Sequence, residues 1–201
     1  MPQSPRSALR FLPSLLLVAT LAPTPLLAEG TPLRLAELSA RVYAAGHSAG
    51  DPIVLLAAAT MRRNANLPAV PLTPEAIYAE AATLAEDDPK LLALIDDLQA
   101  ETSKGVASGP IYQLAALAVG EIDSRPPMPF RGGTYAEVYV EAAPGADLDL
   151  TVLDDAGHVV CADREDSHIA YCGWTPANDG NFTLLIENAG AVPADYALMT
   201  N

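Results

Sequence analysis

The chain has 201 residues, half of them hydrophobic and only 5% aromatic, so it holds one large or two small domains whose cores must be filled by aliphatics and alanine. Its formal charge of −14 excludes a nucleic-acid surface, which needs clustered Lys and Arg to displace counterions. The same charge opposes binding to anionic lipid and leaves solubility and cationic partners as its consequences.

Residues 1–28 open with Arg6 and Arg10, continue through an apolar run over 11–21, meet Pro23 and Pro25, and end on Ala28. A basic start, a short apolar run and a small residue at the end form the layout of a secretory signal peptide. Left uncleaved, the stretch would be a membrane anchor, but the prolines stop the run short of a comfortable bilayer span. The expected location is therefore periplasmic or secreted, with no membrane contact after cleavage.

Residues 31–122 read as a helical domain. Thr31-Pro32, Asp51-Pro52, Thr73-Pro74, Asp88-Pro89 and Gly109-Pro110 each precede an apolar stretch. Proline suits the first helical position because its missing N–H would have no partner there. Thr or Asp just before it accepts a bond from an orphan N–H of the first turn. Apolar stripes at helical spacing follow: Leu35, Leu38, Val42 and Ala45; Ile77, Ala81 and Leu84; Leu91, Leu94, Ile95 and Leu98; and Ile111, Leu114 and Ala118. Residues 53–61 are apolar nearly all round, which predicts the most buried helix. The similarity of Asp51-Pro52 and Asp88-Pro89, 37 residues apart, suggests two helix–turn–helix units. A small bundle of helical hairpins fits better than a solenoid, which needs more repeats. Residues 100–109 are a polar, glycine-bearing loop.

Three prolines within 123–129 predict a stiff linker. Beyond it the period becomes two. Ala136, Val138 and Val140 alternate with Tyr135, Glu137, Tyr139 and Glu141, Leu148, Leu150 and Val152 with Asp147, Asp149 and Thr151, and Phe182, Leu184 and Ile186 with Thr183, Leu185 and Glu187. Short strands separated by Pro144-Gly145, 154–157, 178–180 and 188–190 predict an antiparallel sandwich or barrel. The fold class is therefore α+β in two parts, an all-α bundle of helical hairpins followed by an antiparallel β domain over 130–201.

In the stretch DLDLTVLDD the aliphatics Leu148, Leu150 and Val152 share the core face, so Asp147 and Asp149 share the other. An adjacent strand could bring Asp163, Glu165 or Asp166 beside them. Several hard oxygen ligands would suit calcium. The simpler reading is a solvated face whose acids discourage pairing with other chains, and no D-x-D-x-D-G loop is present. Exposed carboxylates of ordinary pKa are poor proton donors at neutral pH, so no catalytic residue is assigned.

The segments FRGGTYAEVYV, DLDLTVLDDAGHVV, WTPANDGNFTLLIENAG and ADYALMTN, in that order over residues 130–201, resemble a bacterial pre-peptidase C-terminal domain. The resemblance implies a jelly-roll-like sandwich that is non-catalytic, usually appended to secreted enzymes, and associated with secretion, with polymer or partner binding and in some relatives with calcium. Here alanine-rich helices precede the module instead of a peptidase. No ligand motif of the family can be matched position by position.

Cys161 and Cys172 flank a ten-residue loop and favour a disulfide across a hairpin in an oxidising compartment. Two buried thiols are the alternative, and a redox pair would need C-x-x-C spacing. His47, His158 and His168 are isolated, which excludes a helix-borne H-x-x-x-H zinc site, although His158 and His168 could meet across a hairpin. Ser48 in GHSAGD lacks the G-x-S-x-G pattern and a preceding strand, and reads as part of an interhelical turn. Trp174 and Tyr196 read as core or corner residues, Gly180 as a turn residue, and Asn181-Phe-Thr183 fits a glycosylation sequon. The sum is an exported, non-enzymatic binding protein with a protein or polysaccharide partner and no expected cofactor. The alternatives are a secreted hydrolase with its site between the two parts, and a calcium-stabilised structural module.

Overall fold

The computed structural model describes residues 31–67, 70–100 and 111–201. The signal segment 1–28, the loop at 101–109 and the Gly109-Pro110 opening lie outside the described residues. Four helices come first: α1 (Pro32–Ala49), α2 (Pro52–Ala65), α3 (Pro74–Leu84) and α4 (Pro89–Ala100). Each starts where a side-chain cap meets proline. Thr31 Oγ1 accepts from the Arg34 N–H at 3.1 Å and Thr73 Oγ1 from Ala76 at 3.2 Å. Asp51 Oδ1 accepts from Ile53 and Val54, and Asp88 Oδ1 from Lys90 and Leu91. Gly50 ends α1 at φ 62°, a left-handed conformation that costs glycine little.

Helix α2 sits between α1 and α3, and α4 packs on α3. Their shared core contains Tyr43, Leu55, Leu56, Ile77, Tyr78 and Ile95. The stripe expected for α1 is displaced. Leu33, Ala36, Ala40 and Tyr43 are buried, whereas Leu38 and Ala45 are exposed and Leu35 and Val42 half-buried. Helix α1 is wedged between α2 and a sheet, so its small residues face inward where backbones approach closely. On α2, Ile53 points out at 66% exposure, so the helix is not buried all round. Leu84 and Leu94 of the expected stripes on α3 and α4 are likewise exposed.

Nine strands follow: β1 (Ile111–Leu117), β2 (Ile122–Ser124), β3 (Met128–Phe130), β4 (Ala136–Ala142), β5 (Leu148–Leu153), β6 (Val159–Asp163), β7 (Ile169–Trp174), β8 (Gly180–Asn188) and β9 (Ala194–Thr200). They form two antiparallel sheets. Sheet A has the order β1-β9-β4-β7, and sheet B the order β2-β8-β5-β6, with β3 pairing further along β8. Between them lies a core that includes Val138, Val140, Leu148, Leu150, Val152, Leu184, Ile186 and Leu198. The alternation that predicted Leu148, Leu150 and Val152 as inward residues holds, since all three are fully buried.

Two sequence expectations are corrected here. Residues 111–118 are not a fifth helix, because 111–117 are strand β1, paired along its whole length with β9 from Ile111↔Thr200 to Leu117↔Ala194. A short apolar run fits both periods, and the long-range partner decides it. The segment 123–129 is not a free linker either. Its two ends lie in β2 and β3 on the edge of β8, and the Arg125 N–H donates to the Leu184 carbonyl at 2.9 Å. Pro126 and Pro127 lie between these two edge strands, where no ladder N–H is required. The sandwich therefore begins at β1, within the stretch read as helical.

The Cys161–Cys172 disulfide is formed, with Cα atoms 5.9 Å apart. It does not close a hairpin within one sheet. Cys161 lies on β6, the edge of sheet B, and Cys172 on β7, the edge of sheet A, so the bond staples the two layers along one side. Replacing both cysteines by serine should lower unfolding free energy by about 2–4 kcal/mol through loss of a short loop constraint. Denaturant unfolding of the double variant checks this, with no change in midpoint as the contrary result.

Candidate binding surface

The outer face of sheet A carries the helices. Strand β4 is buried along its whole length: Ala136, Val138, Val140 and Ala142 point into the sandwich, and Glu137, Tyr139 and Glu141 point to the helices. Alternation along β4 puts Glu137 and Glu141 on the face opposite Val138 and Val140. A second layer covers them, a contact that a period-two pattern does not reveal. Glu141 is fully buried and accepts hydrogen bonds at 2.8 Å from Arg62 Nη1 of α2 and from the Tyr139 hydroxyl. Burial pushes its carboxyl up, while Arg62, Tyr139 and the Leu72 backbone N–H pull it down. Burial also drives the Tyr139 hydroxyl well above its usual range.

At the α1 end of this seam, Glu137 Oε1 accepts from Thr31 and from Tyr171, the latter at 2.6 Å. The Arg34 guanidinium lies 5.2 Å from the Tyr171 ring centroid, and Arg41 bridges Glu37 of α1 to Glu165 beyond β6. Tyr135 lies over Gly173, where an added Cβ would meet its hydroxyl at 2.1 Å, and that hydroxyl is 3.1 Å from the Tyr171 hydroxyl.

The three aspartates considered for calcium do not act as one group. Asp149 is on the outer face of sheet B, opposite Glu187. Asp163 is opposite Leu150, and facing residues of an antiparallel pair share a side, so Asp163 turns to the inner side of the sheet with Cys161. There its Oδ2 accepts from the Tyr171 N–H at 2.9 Å and its Oδ1 from Glu165 at 3.3 Å, joining the edges of the two sheets. Asp147 Oδ1 accepts from Ser167 at 3.2 Å. Burial first, then Asp147 and Glu187, raises the Asp149 carboxyl above its ordinary value. Among the described residues no three His, Cys, Asp or Glu side chains gather as metal ligands.

The histidines are also separate. His158 pairs with Asp154 within the β5–β6 turn, where the Ala156 and His158 N–H groups also bond Asp154 and lower its pKa. His168 lies beyond the other end of β6, buried against Tyr43. His47 contacts Glu80 at 2.6 Å. Ser48 is exposed in the last turn of α1. Tyr196 is fully buried in the core, with its hydroxyl donating to Asp123 Oδ2 at 2.6 Å and accepting from Arg125.

A surface depression that sequence reading missed lies at one end of the sandwich. Phe130 meets Trp174 and Phe182 edge-on beneath it, with Phe130 and Trp174 centroids 4.9 Å apart and Trp174 tilted against Phe182. Two cavities, of about 500 and about 300 Å³, share Pro129, Phe130 and Arg131. One extends over 179–181 and the other over 134–136 to Asn201. The loop carrying Arg131 is held by Gly132, whose Cα packs on the Asn178 backbone so closely that a Cβ would lie 2.6 Å from it. The Gly132 N–H donates to Asp179 Oδ1 and the Gly133 N–H to the Pro176 carbonyl, both at 2.8 Å. Arg131 is exposed and has no ion pair among the described residues. Asn181, the sequon residue, is exposed on the rim. The glycine pair was legible in the sequence, but the convergence of 129–131 with 179–181 depends on β3 pairing with β8.

Two measurements follow. Saturating calcium should leave the melting temperature unchanged, because Asp163 and Asp147 are already engaged by backbone donors; a rise of several degrees, as binding to the folded state alone requires, would contradict this. Arg62→Met should cost about 3–5 kcal/mol by leaving Glu141 buried and unpaired. The double variant Arg62→Met/Glu141→Leu should recover much of that loss in the same unfolding assay.

No family model matches the chain, and no curated protein matches it. Among solved structures, the β part is similar to the pre-peptidase C-terminal domain of a collagenase from Bacillus anthracis, at 11% identity and TM-score 0.37, over 46% of this chain and 89% of that one. It is also similar to PliG of Aeromonas hydrophila, a periplasmic inhibitor of g-type lysozyme, at 10% identity and TM-score 0.33, over 49% and 93%. A de novo designed double-stranded β-helix matches at 9% identity and TM-score 0.29, over 45% and 99%. Likeness at this level carries no functional argument.

Proposed function

We propose that the protein is an exported, non-enzymatic binding protein whose sandwich holds a polymer, surface component or protein partner while the helices serve as a scaffold. The observation that carries this reading is the double depression around Arg131. An unpaired guanidinium stands between two cavities, with Asp179, Asn181 and Thr134 as further donors and acceptors and Pro129 and Tyr135 as apolar walls. Binding sites commonly combine apolar walls with a few placed polar groups, and two adjoining cavities suit successive groups of a longer chain. Export is supported by the layout of residues 1–28 and by the disulfide, a bond of oxidising compartments.

The test is co-sedimentation or pull-down from envelope extract with the chain lacking residues 1–28, beside Arg131→Ala and Asn181→Ala variants. Capture by the wild type should fall about tenfold in Arg131→Ala, as loss of a central polar contact of about 1.4 kcal/mol implies. Equal capture by wild type and both variants would move the site elsewhere. Turnover of a hydrolase substrate by the wild type would replace the reading with an enzymatic one.

A further inference from the structure

The molecule has three separate apolar clusters. Among the described residues, one lies within the helices, one between the sheets, and the third, in the seam between α1–α2 and sheet A, mixes four alanines with larger side chains. Ala36, Ala40, Ala65 and Ala197 form much of it, with Leu33, Ile169 and Met199. Alanine buries little apolar area, so most of the apolar burial in this seam comes from Leu33, Tyr139, Ile169 and Met199. It also encloses polar groups that are incompletely matched. Arg62 Nε and Nη2 and His168 Nε2 are buried without a hydrogen-bond partner among the described residues. Half-satisfied buried polar groups are costly in a low-dielectric setting.

We propose that the helical layer is attached to sheet A by an acid-sensitive seam, in which protonation of His168 against Arg62 parts the helices from the sheet while the two flanking cores stay folded. The groups facing His168 come from each packed element. Helix α1 presents Tyr43, whose hydroxyl is tied to Glu80; α2 presents Arg62; β4 presents Glu141, beside which the Ala142 N–H donates to the His168 carbonyl; and Asp147 holds the preceding Ser167. No carboxylate is hydrogen-bonded to the imidazole, and the Glu141 carboxylate is engaged by Arg62 and Tyr139. Burial first, then Arg62, lowers the imidazole from 6.5 to about 4.

A histidine depressed in the closed form stabilises that form above the open-form value, and the contribution is lost as pH falls from 6.5 toward 4. Glu141 acts in the opposite direction, because burial raises its carboxyl and the closed form takes up its proton more readily. The His168 effect is therefore read as the difference between wild type and a His168 variant. Opening exposes the outer face of sheet A, with Tyr139, Tyr171 and Met199, as a second surface distinct from the depression at Arg131.

Met199, fully buried in the seam, supplies the probe. Oxidation by hydrogen peroxide requires access to the thioether. With reclosing faster than oxidation, the Met199 rate in the wild type relative to His168→Leu should rise about twenty-fold from pH 7 to pH 5, given the separation of the two imidazole values. Circular dichroism should stay native throughout. His168→Gln, which preserves polarity without a titrating ring, should behave as His168→Leu and serves if the latter does not fold. An equal pH response in wild type and variants would overturn the proposal, as would loss of the helical and sheet signals together with Met199 exposure.

Discussion

A carboxylate on the central strand of a sheet cannot lie under a layer of helices without a compensating cation, and Glu141 obtains its cation from Arg62. The side chains of this pair are 0% and 1% exposed, so neither partner has solvent to fall back on. A buried ion pair adds little net stability compared with an apolar substitute, but each member is costly without the other. Its effect is to set position. Arg62 sits one turn before the end of α2, and meeting Glu141 fixes where that helix lies over β4. The same logic recurs at the margin of the seam, where Thr31 and Tyr171 converge on Glu137. Charged residues of α1 and α2 thus determine which face of the sandwich is covered and leave the outer face of sheet B open.

The two sheets are held by different means along their edges. Beside β6 and β7, the disulfide and the Asp163 carboxylate cross between layers. On the opposite side Tyr196 passes from sheet A through the core to Asp123 and Arg125 beside β2. One crossing is covalent and two are hydrogen-bonded, so the apolar core between them is clamped on both sides. Rigid backing of this kind gives the loop at Arg131 a defined position, because both Gly132 and the rim at Asp179 are anchored to each other.

Local chemistry made four helix starts, the inward aliphatics of β5 and the disulfide legible in the sequence. Proline after Thr or Asp, and alternation across Leu148, Leu150 and Val152, depend only on near neighbours. The errors share the opposite cause. Ile111 to Leu117 could satisfy either period, and its strand identity rests on β9, far along the chain. Asp163 seemed to belong beside Asp149, but register with Leu150 turns it to the other side. Nothing within β4 indicates that a second layer covers Glu137 and Glu141. The depression at Arg131 was invisible for the same reason, being assembled from segments about fifty positions apart. Single-strand patterns report two faces; they do not report what rests on either.

The first strand of the sandwich, β1, is bonded to its last, β9, which in turn separates β1 from β4. Sheet A consequently cannot join β1 to β4 until β9 lies between them, although β4 and β7 pair without it. Closing so large a loop is entropically unfavourable and slows assembly relative to local contacts. The helical hairpins close through near neighbours along the chain, whereas β1 has no sheet partner until β9 reaches it. Sheet B, with the order β2-β8-β5-β6, needs nothing from β9, so of the two layers only sheet A is completed by the last pairing along the chain.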